Sequence, residues 1–118
     1  MFTTRRVVVV DADRSAAEML HTFFRLMELD CSLISPNADV VATLRRERPD
    51  ILILDLDLPD LRALEIATEI RRTARTLPII FLTDGDPPMF PIEGPVMRKP
   101  RDRFEELLRL FELVLALE

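Results

Sequence analysis

The stretch "ILILDLDLPD", residues 51–60, decides how the chain is read. Four aliphatic residues in a row mark a strand buried on both faces. Asp55 and Asp57 then break the run, and Pro59 closes it. Charge in an apolar interior is costly unless it is paired or neutralised. Two aspartates at the end of a core strand therefore belong at the mouth of a sheet, where carboxylates meet water or a cation.

Working outward, the same pattern recurs. Residues 7–10 are four valines followed by Asp11 and Asp13, which reads as a central strand. Ser15 and Glu18 make a capping-box pattern. Leu20, Phe23, Phe24 and Met27 then recur at helical spacing, predicting a helix over 15–29. Residues 31–34 read as a second strand. Ser35-Pro36 suits a helix start, since proline fits the first helical position. Val40, Val41 and Leu44 give that helix an apolar face, and Pro49 ends it. Ala63, Ile66, Ala67, Ile70 and Ala74 mark a third helix. Residues 78–82 read as a fourth strand, 96–97 as a short fifth, and 102–117 as a final helix. Between them "TDGDPPMFPIEGP", residues 83–95, holds four prolines and both glycines of the chain, so no helix of useful length fits there.

Alternating helices and all-apolar strands predict an α/β fold with a parallel sheet covered on both faces. Working residues in such sheets gather at the carboxyl ends of the strands. Those ends carry Asp11, Asp13, Asp55, Asp57, Thr83 and, just past the fifth strand, Lys99.

Composition narrows the function classes. The 118 residues are read as one domain over 1–118; the closing Leu117-Glu118 could be a cloning scar, so the chain could continue. A net charge of −5 argues against nucleic-acid binding by this domain. The single cysteine, Cys31, excludes an internal disulfide framework and reads as a small core residue. Arg5 and Arg6 precede an apolar run too short for an export signal. No apolar stretch approaches the roughly 20 residues that span a bilayer. A cytoplasmic protein without a membrane partner is expected.

Several carboxylates in one crevice repel each other, and a hard divalent cation such as magnesium relieves this. A carboxylate beside a metal, a hydroxyl and an ammonium group can accept a phosphoryl group, because metal and lysine neutralise the transferring oxygens while the threonine hydroxyl donates a hydrogen bond. At this point the chain resembles the receiver domains of two-component response regulators. The resemblance rests on "VVVVDAD" at the first strand, "PDILILDLDLP" at the third, "PIIFLT" at the fourth and "KP" after the fifth. It implies a five-stranded sheet in the order 2-1-3-4-5, flavodoxin-like, with helices on both faces. It implies Asp55 as phosphoacceptor, Asp11 as the first acid of a magnesium site, Thr83 as switch hydroxyl and Lys99 as phosphate-binding lysine. The backbone carbonyl of Asp57 would complete the metal shell, and the Lys99–Pro100 bond would be cis. The implied partner is a histidine kinase or another signalling protein.

The chain also departs from the family. Ala12 stands where the second acid of the pair belongs, weakening the metal site; Asp13 is the residue that could substitute, although in a strand a one-residue offset faces the other way. The alternative for Asp13 is a helix-start residue. Asp84 follows Thr83 where a small residue is usual, and is read as either a turn residue or a modifier of the site. Arg62-Ala63 replaces a glycine-containing pair, and Val96 replaces the switch aromatic. The interval from Thr83 to Lys99 is short, so the fourth helix is expected to be lost or reduced to a turn. These departures favour a receiver-like interaction module, or pseudo-receiver, over a fully phosphorylatable receiver. A remote alternative is a phosphatase of the haloacid dehalogenase type, whose first motif "ILILDLDLP" also resembles; it needs a further acidic motif, for which only Asp102, Glu105 and Glu106 are placed. The final helix carries Phe104, Leu107, Leu108, Phe111 and Leu115 on one stripe, widened by Leu110, Leu113, Val114 and Leu117. That stripe reads either as a deeply covered helix or as a surface for a homodimer or partner.

Overall fold

A computed structural model describes residues 5–86, 92–101 and 104–116. The strands are β1 (Arg6–Val10), β2 (Asp30–Ile34), β3 (Ile51–Asp55), β4 (Ile79–Thr83) and β5 (Val96–Arg98). The helices are α1 (Arg14–Leu26), α2 (Val40–Glu47), α3 (Arg62–Thr73) and α4 (Glu105–Ala116). All pairings are parallel and the sheet order is β2-β1-β3-β4-β5. The predicted architecture and strand order are therefore observed.

The all-apolar strands explain the layering. Val7, Val9, Ile51, Ile53, Ile80 and Leu82 point to one face, where Leu20 and Phe24 of α1 and Leu107 and Phe111 of α4 cover them. Val8, Val10, Leu52, Leu54, Ile79 and Phe81 point to the other, under Val40 and Leu44 of α2 and Ile66 and Ile70 of α3. Alternate residues of a strand face opposite ways, so each strand serves both halves of the core. Cys31 is buried in the α1–α4 half as expected, and burial pushes its thiol up to about 12. The α4 stripe is a covered face for Leu107 and Phe111, while Leu113 is exposed. Leu117 lies outside the described residues.

Helix starts differ from the capping patterns. The cap of α1 is the Asp13 side chain, which accepts from the Ser15 and Ala16 amides, so the helix begins one residue before Ser15. Asp39 caps α2 through the Ala42 amide, and residues 36–38 form a turn instead of a first helical turn at Pro36. A short side-chain carboxylate satisfies free amides at a helix start better than proline, which merely tolerates their absence. With few glycines available, the chain leaves α1 and α2 through left-handed Glu28 (φ 62°) and Arg48 (φ 49°). Among the described residues no helix lies between β4 and β5; residues 87–91, on which the expected loss of the fourth helix partly falls, lie outside them. The Lys99–Pro100 bond is trans, not cis, since the described chain contains no cis peptide. Trans is the ordinary form even before proline.

Candidate functional site

Parallel pairing brings the strand ends to one edge. Val10 is level with Leu54, Asp55 with Leu82, and Thr83 with Arg98. Asp11, Asp55, Thr83 and Lys99 consequently meet, although the residues span nearly the whole chain. Asp11, Asp55 and Thr83 are buried. The Lys99 side chain is only 8% exposed, so it is not a solvated loop lysine.

Lys99 Nζ lies 3.0 Å from Asp55 Oδ1, 3.3 Å from Asp11 Oδ1 and 3.8 Å from Asp57 Oδ2. One ammonium thus serves three carboxylates. Asp55 Oδ1 also accepts from the Asp57 amide at 2.8 Å, and Asp55 Oδ2 from the Ala12 amide at 3.2 Å. Asp11 Oδ1 accepts from the Asp13 amide, whereas Asp11 Oδ2 is buried with no hydrogen-bond partner. Burial, reinforced by the neighbouring Asp55, holds the Asp11 carboxyl up at about 6 against the opposing Asp13 amide and Lys99. For Lys99, burial disfavours the charge, but the carboxylates of Asp55 and Asp11 outweigh it and raise the ammonium's pKa.

Asp57 does something the sequence did not indicate. Its side chain accepts the Thr83 hydroxyl at 2.6 Å on Oδ1 and the Asp84 amide at 2.8 Å on Oδ2. Burial pushes its pKa up, but these two bonds and Lys99 together hold it below the usual value. Asp84 is both turn residue and site neighbour: its carboxylate accepts from Arg101 at 2.8 Å, and its carbonyl from Arg98 at 3.5 Å. The only hint of these two arginines was their place in the basic run "RKPR", residues 98–101.

Oxygen donors suit magnesium, which is commonly held by one or two carboxylates and retained waters. Asp11 and Asp55 are the buried carboxylates that could hold it, and Asp11 Oδ2 is the oxygen left without a hydrogen-bond partner. Asp13 is engaged as the α1 cap, and the Asp57 side chain is turned to Thr83. Ala12 offers only its amide, and among the described residues no three acidic, histidine or cysteine side chains form a metal-holding group. A groove of about 850 Å³ opens beside Ala12, lined also by Arg14, Ser35, Asp60 and Arg62. At its rim Asp60 and Leu61 both hold positive φ (57° and 56°) without glycine's freedom. Glu105 and Glu106 open α4 with exposed side chains, and Asp102 lies outside the described residues.

Comparison with known proteins follows the same lines. The family model of the response regulator receiver domain matches residues 7–92. Response regulator MprA of Mycobacterium leprae is 33% identical over 81 residues, which is 69% of this chain and 36% of that protein. The chain therefore spans about a third of the length of the curated relatives it matches. Response regulator TrrA from Thermotoga maritima, solved in complex with Mg2+-BeF, superposes with a TM-score of 0.82 at 21% identity, over 94% of this chain and 99% of that one. The structure of histidine kinase ThkA in complex with TrrA matches with a TM-score of 0.81 at 22% identity, over 95% of this chain and 99% of that one.

Proposed function

The chain belongs to the response regulator receiver domain family, and from that premise we propose that it is a signalling receiver that works chiefly as a protein interaction module and takes a phosphoryl group on Asp55 only slowly. The observation that carries this is the Lys99 ammonium bridging Asp55 and Asp11 inside a buried pocket. That arrangement fits a phosphoryl acceptor with its charge-neutralising lysine, and Thr83 stands within the same network. Three features slow the reaction. The Asp55 side chain is 1% exposed with both oxygens hydrogen-bonded. Ala12 leaves the metal site with one carboxylate pair. Asp84, paired with Arg101 at 2.8 Å, places an ion pair beside the site where the family usually has a small residue.

In the transfer, an Asp55 carboxylate oxygen forms a bond to the donor's phosphorus while the bond from phosphorus to the leaving atom breaks, and that atom, the imidazole nitrogen of a phosphohistidine or the carboxylate oxygen of an acyl phosphate, departs with the electron pair. Magnesium, held by Asp11 and Asp55 with the Asp57 carbonyl, would supply positive charge against the equatorial oxygens. Lys99, 3.0 Å from Asp55 Oδ1, supplies the remaining neutralisation from the protein. By analogy with TrrA, a histidine kinase is the proposed donor and partner. Beyond self-phosphorylation and its reversal at Asp55, no enzyme activity is assigned. The phosphatase alternative loses its appeal because Asp57, its would-be acid-base, is tied to Thr83 and Asp84.

The test is an intact mass after incubation with magnesium and a small acyl-phosphate donor. We expect a slow gain of one phosphoryl group that is absent in Asp55→Asn. A gain that persists in Asp55→Asn would place the chemistry elsewhere, and no gain at all would leave the interaction role alone.

A further inference from the structure

We infer that the Asp57 carboxylate is an internal stand-in for a phosphoryl group: it holds the Thr83 hydroxyl and the Asp84 amide when no phosphate is present, and competes for them when one arrives. The first half stands on geometry alone. The second rests on the reading of Asp55 as acceptor.

Thr83 has one hydroxyl proton to give. It gives it to Asp57 Oδ1 at 2.6 Å, while its oxygen accepts the Gly85 amide at 2.9 Å, so both its donor and an acceptor position are engaged. The Asp84 amide likewise has one proton, given to Asp57 Oδ2 at 2.8 Å. Lys99, 3.8 Å from that oxygen, adds a positive charge beyond hydrogen-bond range. A hydroxyl, a backbone amide and an ammonium converging on an oxyanion are the partners that charge-assisted anion binding uses. Here the oxyanion is part of the chain. The turn after β3 makes this possible, because the Asp57 amide bonds back to Asp55 Oδ1 and sets both carboxylates toward the same lysine. Arg101 and Arg98 hold Asp84 from outside, which keeps its amide in line.

Two consequences follow. Thr83 is drawn inward without phosphorylation, so the conformation it reports is set by Asp57 acting as a positioning residue. A phosphoryl group on Asp55 must displace the Asp57 carboxylate or leave its own oxygens unmatched, and the two anions repel.

The experiment uses the full chain, labelled with nitrogen-15, as wild type, Asp57→Ala and the near-isosteric Asp57→Asn. Hydrogen exchange at the Asp84 amide is followed first, with no donor present. Loss of a charge-assisted bond is expected to speed that exchange by about tenfold in Asp57→Ala, with Asp57→Asn between the two. Unchanged exchange in both variants overturns the inference. Mass gain with magnesium and the acyl-phosphate donor is followed next. Faster gain in Asp57→Ala, by about tenfold, supports the competition, and equal or slower gain overturns it. If no protein gains mass, the acceptor reading fails by itself, and exchange at Asp84 alone decides whether Asp57 holds the loop.

Discussion

Asp11 carries a burden that its neighbours only partly relieve. Its Oδ2 is buried without a partner, and the Lys99 ammonium that reaches Oδ1 is shared with Asp55 and Asp57. The carboxyl is consequently held up at about 6, from an ordinary 3.8. A raised carboxyl binds its proton more tightly in the folded chain than in the unfolded one, so its contribution to stability is full below 3.8 and is lost as the pH rises through about 6. The other shifted groups of the site act elsewhere. Asp57 is lowered, so its contribution is present above 3.8 and lost only in stronger acid. Lys99 is raised, so its contribution fails only above 10.5. We therefore expect metal-free protein, kept in a chelator, to lose on the order of 2 kcal/mol between about pH 4 and about pH 7. Urea unfolding across that range measures it. Asp11→Asn should flatten the profile, and a wild-type profile that is already flat would mean that Lys99 neutralises Asp11 in full.

The segment that leads into β5 is fixed by a few close approaches. Gly94 holds φ 148°, and a Cβ there would lie 2.6 Å from the Ile79 carbonyl oxygen and 3.0 Å from the Phe81 ring. Arg71 of α3 donates to the Leu77 and Glu93 carbonyls, tying the approach to β4 and the approach to β5 to one side chain. Gly94→Ala should cost about 2 kcal/mol through backbone strain and the carbonyl clash, read as a lowered urea midpoint with an unchanged slope. A loss below about 0.5 kcal/mol would mean that the segment shifts freely. Gly94 was visible in the sequence only as a loop residue, because nothing local announces which backbone will pass beside it. The strands were legible for the opposite reason: "VVVV" and "ILIL" are buried on both faces, and only a central parallel strand uses such a run. The site was legible in its parts that lie at strand ends, Asp11, Asp55, Thr83 and Lys99. The direction of the Asp57 side chain was not, since a residue beyond the strand has no alternation to follow. Nor was Arg101, whose partner Asp84 is remote in sequence. Asp13 and Asp39 were visible as polar residues before helices, yet the stronger-looking patterns at Ser15 and Pro36 drew the boundaries away from them.

The sheet divides the molecule into two apolar halves, and the strands differ in how firmly both halves hold them. β1 and β3 are buried along their apolar residues and flanked by strands on both sides. β5 has three residues, of which Val96 and Arg98 are exposed, and it pairs with β4 alone. Local opening free energies track such differences in burial and pairing. The Leu52 amide, donating to the Pro78 carbonyl at 3.0 Å, should therefore exchange only through global unfolding. The Lys99 amide, donating to the Thr83 carbonyl at 3.0 Å, should exchange at least about a hundredfold faster through local release of the edge. This matters for signalling because β5 delivers Lys99 into the acidic pocket. Release of the edge withdraws the ammonium from Asp55 and Asp11, and an anion bound at Asp55 would hold it in place. Native-state hydrogen exchange with and without magnesium and beryllium fluoride separates the cases. Slower exchange at Lys99 with the anion, and none at Leu52 beyond the global change, is the outcome expected if the edge strand couples the pocket to the exposed surface around β5. Equal protection of Lys99 and Leu52 from the start would mean that the sheet opens as one unit, and that the signal leaves by the Thr83–Asp84 loop instead.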